Sequence, residues 1–129
     1  MTKQVVEPSN APKAIGSYSP AIKVGQLVFV SGQIPLDPVT MQIVKGDISK
    51  QVSVVIKNLE AILKECGSDL EEIVKLTIFL TDINNFEIVN QVMSEKFRSP
   101  YPARSLVGVD SLPKGASIEM DAIAYLGNH

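Results

Sequence analysis

The fold is decided by the stretch Asp47–Gly67, which reads DISKQVSVVIKNLEAILKECG. Its apolar residues recur at steps of three and four and therefore line one side of a helix: Ile48, Val52, Val55, Ile56, Leu59, Ile62, Leu63 and Cys66. Asp47 is suited to cap the first turn of this helix, and Gly67 is suited to end the last one. The stretch predicts one long helix with a single buried side.

After this helix the pattern changes to a strand and then to a second helix. Ser68 and Glu71 have capping-box spacing for a short helical turn, and Ile73–Leu80 is rich in β-branched and aromatic residues typical of a strand. A second helix is predicted to start at Asn84 or Asn85. The residues expected on its buried side are Phe86, Val89, Met93 and Phe97.

Four further strands are predicted, two at each end of the chain. Ile22–Val24 and Leu27–Val30 flank a turn that contains Gly25, while Arg104–Val109 and Ser117–Leu126 are expected to form a hairpin. The order β-β-α-β-α-β-β predicts one α+β domain over residues 1–129, with two helices on one face of a mixed sheet. Two helices cannot cover both faces, so we expect an oligomer to bury the apolar residues assigned to the second face: Leu27, Phe29, Leu76 and Ile78.

The composition excludes several kinds of catalytic chemistry and of partner. The only histidine is the last residue, His129, and the only cysteine is Cys66, so a histidine base, a metal site and a disulfide are not expected. We expect Cys66 to be a buried apolar group rather than a nucleophile. The net charge of -2 argues against nucleic-acid binding, and the sequence contains no signal peptide and no apolar run that could span a membrane. These features predict a soluble cytoplasmic protein.

Arg104 and Glu119 are the charged residues with the strongest claim to a functional role. Arg104 opens an apolar strand directly after Pro102 and Ala103, and a guanidinium held in this way could grip a planar carboxylate with two parallel hydrogen bonds. Glu119 lies between the apolar residues of the last strand and faces away from the predicted core. One register of the hairpin brings the two residues together on one face, and the other separates them. Arg104 could instead be a solvated residue at a strand end, and Glu119 could be a solvated surface group or form a structural ion pair with Arg104.

Weaker candidates surround this pair. Tyr18 lies in a Gly- and Ser-containing loop, and Ser31 and Gly32 directly follow the second strand, where a glycine would let a ligand approach the backbone. A lone glycine at the end of a strand is, however, usually a simple bend. Asn90 lies in the second helix, where it is either a ligand contact or a solvated helix residue.

With these residues identified, the chain resembles the RidA (YjgF/YER057c-type) family over nearly its whole length. The stretches that carry the resemblance are Ile15–Tyr18, Val30–Pro35, Gly46–Ile48 with Gln51, Asn58–Leu59, Gly67–Ser68, Phe79–Asp82, Phe86 with Val89–Asn90, Pro102–Ser105, Leu112–Pro113 and Ile118–Glu119.

The resemblance implies a chorismate-mutase-like fold, a homotrimer around a central barrel, and ligand clefts between subunits. It also implies the cofactor-free hydrolysis of 2-iminobutanoate and 2-iminopropanoate, which pyridoxal-phosphate-dependent dehydratases release, to 2-oxo acids and ammonia. Arg104 would hold the substrate carboxylate, and Glu119 would orient or deprotonate the attacking water. The residues that would line the cleft are Tyr18, Ser31, Gly32 and Asn90, with Leu106 contributing its backbone N–H.

The sequence departs from the family pattern at four positions near this cleft. Leu106 stands where a cysteine is frequent, Ser17 where a proline is common, Pro20 where a glutamine is common and Met93 where a tyrosine is frequent. Two alternatives to the deaminase also remain open. One is a regulatory trimer that binds a 2-oxo acid or amino acid without turnover, and the other is a ribonuclease or translation inhibitor, against which the acidic charge balance argues.

Overall fold

A computed structural model describes residues 2–127 of the chain, so His129, the terminal histidine, lies outside the described residues. Two α-helices, α1 (Ile48–Glu65) and α2 (Phe86–Lys96), pack on one face of a six-stranded sheet, as the sequence predicts. The strands are β1 (Gln4–Val6), β2 (Ala21–Val24), β3 (Leu27–Gln33), β4 (Ile73–Leu80), β5 (Ala103–Gly108) and β6 (Ile118–Tyr125).

The helix α1 forms where the apolar stripe predicts it and ends as expected. The Asp47 side chain accepts a hydrogen bond from the Lys50 backbone N–H, which caps the first turn. At the other end, Gly67 adopts a positive φ of 85°, a conformation that glycine reaches without steric cost. Cys66, directly before Gly67, is fully buried, as the sequence predicts, and burial raises the pKa of its thiol.

The predicted hairpin between the last two strands is wrong. The strand order is β1-β2-β3-β6-β4-β5, so β4 lies between β5 and β6. β5 pairs parallel to β4 through the α2 crossover, and β6 pairs antiparallel to both β3 and β4. The physical reason is the burial of the apolar side of β6. A strand in the middle of the sheet is covered by the helices along its length, and the β6 residues buried in this way are Ile118, Met120, Ala122 and Ala124.

The assignment of residues to the two faces of the sheet needs one correction. Leu76 and Ile78 were expected on the uncovered face, but both are fully buried beneath the helices. β4 carries apolar residues at both its odd-numbered and its even-numbered positions, so the sequence pattern does not reveal which of the two sets faces the helices. Leu27 and Phe29 do lie on the uncovered face, each 41% exposed. The face is therefore partly apolar, with Phe79, Val107, Ile123 and Tyr125 in place of the two misassigned residues.

Three smaller features also differ from the prediction. The short turn Leu70–Glu72 is capped by the Asp69 side chain, because the Ser68 hydroxyl instead donates to the Tyr125 carbonyl at 2.8 Å. Phe86 is 43% exposed, since the buried side of α2 is formed by Val89, Val92 and Met93. The strand β1 was not predicted, because three exposed or half-exposed residues carry little periodic signal.

None of the helices within residues 2–127 is long and apolar enough to cross a membrane.

Candidate functional site

The candidate residues fall into two groups, and the first surrounds a cavity of about 210 Å³. Tyr18, Gly32 and Glu119 all line this cavity. Tyr18 comes from the loop before β2, Gly32 from β3 and Glu119 from β6, so three separate parts of the chain converge. The apolar part of the wall was not predicted from the sequence and consists of Pro12, Ala14, Ile15, Pro20, Ile34, Leu36 and Pro113.

A β-bulge in β3 shapes the floor of this cavity. Val30 pairs with Ala122 and Gln33 pairs with Met120, so Ser31 and Gly32 together face the single residue Asp121 of β6. In a regular strand, residues three apart such as Val30 and Gln33 would point to opposite faces. The extra residue of the bulge puts both side chains on the same face, where they are buried beneath the helices. The bulge therefore turns Ser31 and Gly32 toward the uncovered face, where Glu119 also lies.

Ser31 holds the loop that carries Tyr18. Its hydroxyl donates to the Ser19 carbonyl, and its backbone N–H donates to the Pro20 carbonyl at 3.0 Å. The Tyr18 hydroxyl accepts a hydrogen bond from the Ile15 backbone N–H at 3.3 Å, which closes the loop on itself. Ser31 does not line the cavity described above, and its observed contacts are to the backbone of this loop.

The environment of Glu119 favours the protonated form more than water does. Its carboxyl is half-buried, and this desolvation is the larger cause that raises its pKa. The nearby charge of Asp121, two residues along the same strand and on the same face, raises it further. A carboxyl with a raised pKa in a cavity is suited to accept and return a proton. Lys13 and Lys114 also line the cavity, and neither is close enough to Glu119 to form an ion pair within residues 2–127.

The second group lies around Arg104, in a groove of about 240 Å³ between α2 and the edge strand β5. The Arg104 guanidinium donates to the Asn90 side-chain oxygen and approaches the Met93 sulfur at 3.6 Å. Neither ion pair found in the described part of the chain involves Arg104. Its guanidinium is exposed and keeps donors available for a planar anion.

Leu106 lies two residues after Arg104 and on the same side of β5. It pairs with Ile78 and packs against the main core, so its side chain supports the strand rather than lining the groove. The groove residues that sequence reasoning missed are Ser94, Tyr101 and Pro102, together with the contact from Met93. Two signals pointed to Met93: it belongs to the predicted buried stripe of α2, and it stands near the cleft where the family frequently has a tyrosine.

Arg104 and Glu119 lie on opposite faces of the sheet within one chain. Arg104 pairs with Leu76, which is buried beneath the helices, whereas Glu119 pairs with Phe79, which lies on the uncovered face. The expectation that one hairpin register would bring them together fails, because β4 separates their strands. The Arg104 guanidinium and the Glu119 carboxyl therefore do not meet within one chain.

Within residues 2–127 there is no cluster of three or more histidine, cysteine, aspartate or glutamate side chains that could hold a metal ion.

Comparison with known proteins gives consistent results over almost the whole chain. Residues 8–126 match the family model described as endoribonuclease L-PSP. A RutC family protein of Pyrococcus abyssi is 54% identical over 125 residues, covering 97% of this chain and 98% of the relative. The human protein named 2-iminobutanoate/2-iminopropanoate deaminase is 40% identical over 127 residues, covering 98% of this chain and 93% of the relative.

A solved structure has nearly the same fold. The crystal structure of Escherichia coli TdcF with bound serine superimposes with a TM-score of 0.89 at 36% sequence identity, covering 96% of this chain and 99% of that one. The similarity in sequence and the similarity in fold thus each extend over nearly the whole chain, and the family model spans both groups of candidate side chains.

Proposed function

Because this chain belongs to the RidA (YjgF) family, whose model is described as endoribonuclease L-PSP, we propose that it is an imine deaminase that converts 2-iminobutanoate and 2-iminopropanoate to 2-oxo acids and ammonia. The observation that carries the proposal is the half-buried Glu119 carboxyl in the apolar-walled cavity. Its raised pKa fits a general base, and burial in such a cavity is the usual physical origin of that shift.

Arg104 supports the same reaction from the other group. Both imines carry a carboxylate next to the C=N carbon, and a guanidinium can bind a carboxylate with two charge-assisted hydrogen bonds. The hydrogen bond to Asn90 orients the fork, while no carboxylate within residues 2–127 occupies its remaining donors. Asn90 is thus a positioning residue for Arg104.

The reaction balances without a redox partner. Glu119 accepts a proton from water while the water oxygen bonds to the imine carbon, and the C=N electron pair moves to nitrogen. Glu119 returns this proton to the nitrogen, which gives the neutral carbinolamine. Glu119 then carries the hydroxyl proton of the carbinolamine to the nitrogen as the C–N bond breaks and the C=O bond forms, so ammonia leaves and the 2-oxo acid remains on Arg104. A general base contributes roughly a hundred- to ten-thousandfold, and positioning by Arg104 adds to it. No step as written requires a cofactor.

A homotrimer completes this site. Arg104 and Glu119 lie on opposite faces of the sheet, so a cleft that uses both must take them from two different subunits. The uncovered face supports such an assembly, because it exposes Leu27, Phe29, Val107 and Tyr125, each at least 41% exposed. In this arrangement, the apolar face packs toward the centre of the trimer, and the three clefts lie between neighbouring subunits.

The direct test couples the purified protein to a dehydratase. A pyridoxal-phosphate-dependent threonine dehydratase releases 2-iminobutanoate, which semicarbazide traps. We expect the protein to lower the trapped fraction in proportion to its concentration while the total 2-oxo acid formed stays constant. An unchanged trapped fraction at stoichiometric protein would exclude the deaminase and the functional link to such dehydratases.

A second candidate function is binding of an amino acid or 2-oxo acid without turnover. The relative solved with bound serine favours it, since serine carries the same carboxylate that Arg104 would grip. Calorimetric binding of 2-oxobutanoate together with an unchanged trapped fraction would favour this candidate. Salt-dependent RNA cleavage by the pure protein would instead favour a ribonuclease, against which the net charge of -2 argues.

A further inference from the structure

The Glu119 carboxyl occupies the space directly beside Gly32 in the cavity. A methyl group placed on the Gly32 Cα would lie 2.5 Å from Glu119 Oε2, 2.8 Å from Cδ and 3.2 Å from Cγ. The space that any other residue would fill with its Cβ is therefore filled by the Glu119 carboxylate. The backbone conformation does not require glycine at position 32, because Gly32 does not have the positive φ that favours glycine. Position 32 lacks a side chain because the Glu119 carboxylate needs the space.

The bulge explains why this space exists. Ser31 and Gly32 together face one residue of β6, and this turns the Gly32 Cα toward the uncovered face, directly beside Glu119. The bulge is held from the other side, since the Ser31 hydroxyl and backbone N–H both bind the loop that carries Tyr18. The Glu119 side chain thus rests against a backbone surface that has little freedom to move.

We propose that Gly32 is a positioning residue: the bulge at Ser31–Gly32 forms a niche that seats the Glu119 carboxylate where it acts as the general base. This inference rests on the proposed deaminase activity and adds a second role to a residue first expected only to line the cleft. An alanine at position 32 would push the carboxylate away by roughly 1 Å to restore normal contact distances. The backbone would remain, because the clashing atoms belong to the end of a side chain.

The test is a double-mutant cycle between positions 32 and 119. Misplacement of a reacting group by about 1 Å can cost on the order of a hundredfold in rate, so we expect Gly32→Ala to lower kcat by about that factor. Binding of the product 2-oxobutanoate should weaken far less than kcat falls, because Gly32 lines the cavity but Arg104 is untouched. Glu119→Asp withdraws the carboxylate from the niche, so adding Gly32→Ala to it should change kcat by less than about threefold.

Gly108→Ala is the matched control. Gly108 is also a strand glycine without a positive φ, but its added methyl would meet Ile83 at 3.5 Å and the Leu80 carbonyl oxygen at 3.9 Å, both ordinary contact distances. This variant should keep wild-type kcat and product binding. Equal losses from Gly32→Ala in the wild-type and Glu119→Asp backgrounds would overturn the proposal, as would wild-type kcat in Gly32→Ala or a parallel loss of product binding.

A readout without turnover separates this inference from the proposed function. In a crystal structure of Gly32→Ala, the Glu119 carboxylate should leave its wild-type position while β3 and β6 keep their register. If the wild-type protein proves inactive in the dehydratase assay but the carboxylate moves as expected, the deaminase proposal fails and the niche stands. An unmoved carboxylate in an active enzyme removes the niche and leaves the deaminase.

Discussion

The Glu119 cavity and the Arg104 groove are built in different ways. Glu119 lies on a central strand, against the bulge and within a cavity with apolar walls. These surroundings restrict the position of its carboxyl and partly exclude water from it. Arg104 lies on the edge strand in an open groove, with Asn90 as its partner. In the proposed mechanism, this difference would let one chain position and desolvate its own general base, while the exposed Arg104 would serve a site shared with a neighbouring subunit.

Replacing the base should have the largest effect. Glu119→Gln keeps the shape of the cavity but cannot accept a proton, so kcat should fall by roughly a hundred- to ten-thousandfold. Binding of 2-oxobutanoate, measured by calorimetry, should remain. A variant that keeps kcat within tenfold of wild type would show that another group carries the proton.

Replacing the guanidinium should mainly weaken binding. A hydrogen bond to a charged group contributes roughly 1.5–3 kcal/mol, so Arg104→Ala should raise KM by about ten- to a hundredfold per lost bond. Light scattering should show the same oligomer as wild type, because the exposed guanidinium does not support the core. Unchanged KM and unchanged product binding would remove Arg104 from the substrate site.

Mixing the two inactive variants tests whether the two regions meet between subunits. If each site takes Arg104 from one subunit and Glu119 from another, co-expressed Arg104→Ala and Glu119→Gln in equal amounts should restore about a quarter of wild-type activity. The separately purified variants, mixed without subunit exchange, are the control. If both groups acted within one chain, the mixed oligomer would have no more activity than its parents.

The smallest expected effect concerns the pH profile. In the proposed mechanism Glu119 acts in its ionised form, so activity should fall as the pH drops through the raised pKa of this carboxyl. Asp121→Asn removes the like charge that is the second cause of the shift, so the acidic limb of kcat/KM should move to lower pH. The limb should not reach the range of an ordinary glutamate, because desolvation, the larger cause, remains. Glu7→Gln, which removes the same charge from the exposed N-terminal segment, should leave the limb in place.

The helices and the strand β4 could be predicted because their signals are local. The stripe in Asp47–Gly67, the cap at Asp47 and the β-branched run of Ile73–Leu80 each depend on neighbours along the chain, and all three appear as predicted. The family resemblance is also confirmed, since it depends on many short stretches in a fixed order.

The pairing of strands could not be predicted in the same way. Arg104 and Glu119 lie on strands that are close in sequence, and a hairpin is the shortest connection between them. The actual order inserts β4 between them, because burying β6 and completing the β4–α2–β5 crossover depend on contacts across the whole sheet. Because this hairpin does not form, its register does not determine where Arg104 and Glu119 lie relative to each other.

By itself, the sequence determined the fold class and the family, and its lone terminal histidine and lone cysteine argued against chemistry that needs an imidazole base or a thiolate. Only the tertiary structure decided that Arg104 and Glu119 lie on opposite faces, and that Gly32 leaves room for the Glu119 carboxylate. The physical reason is that residue types and local periodicity are properties of the chain, whereas strand order and the one-residue offset of a bulge follow from packing between distant segments.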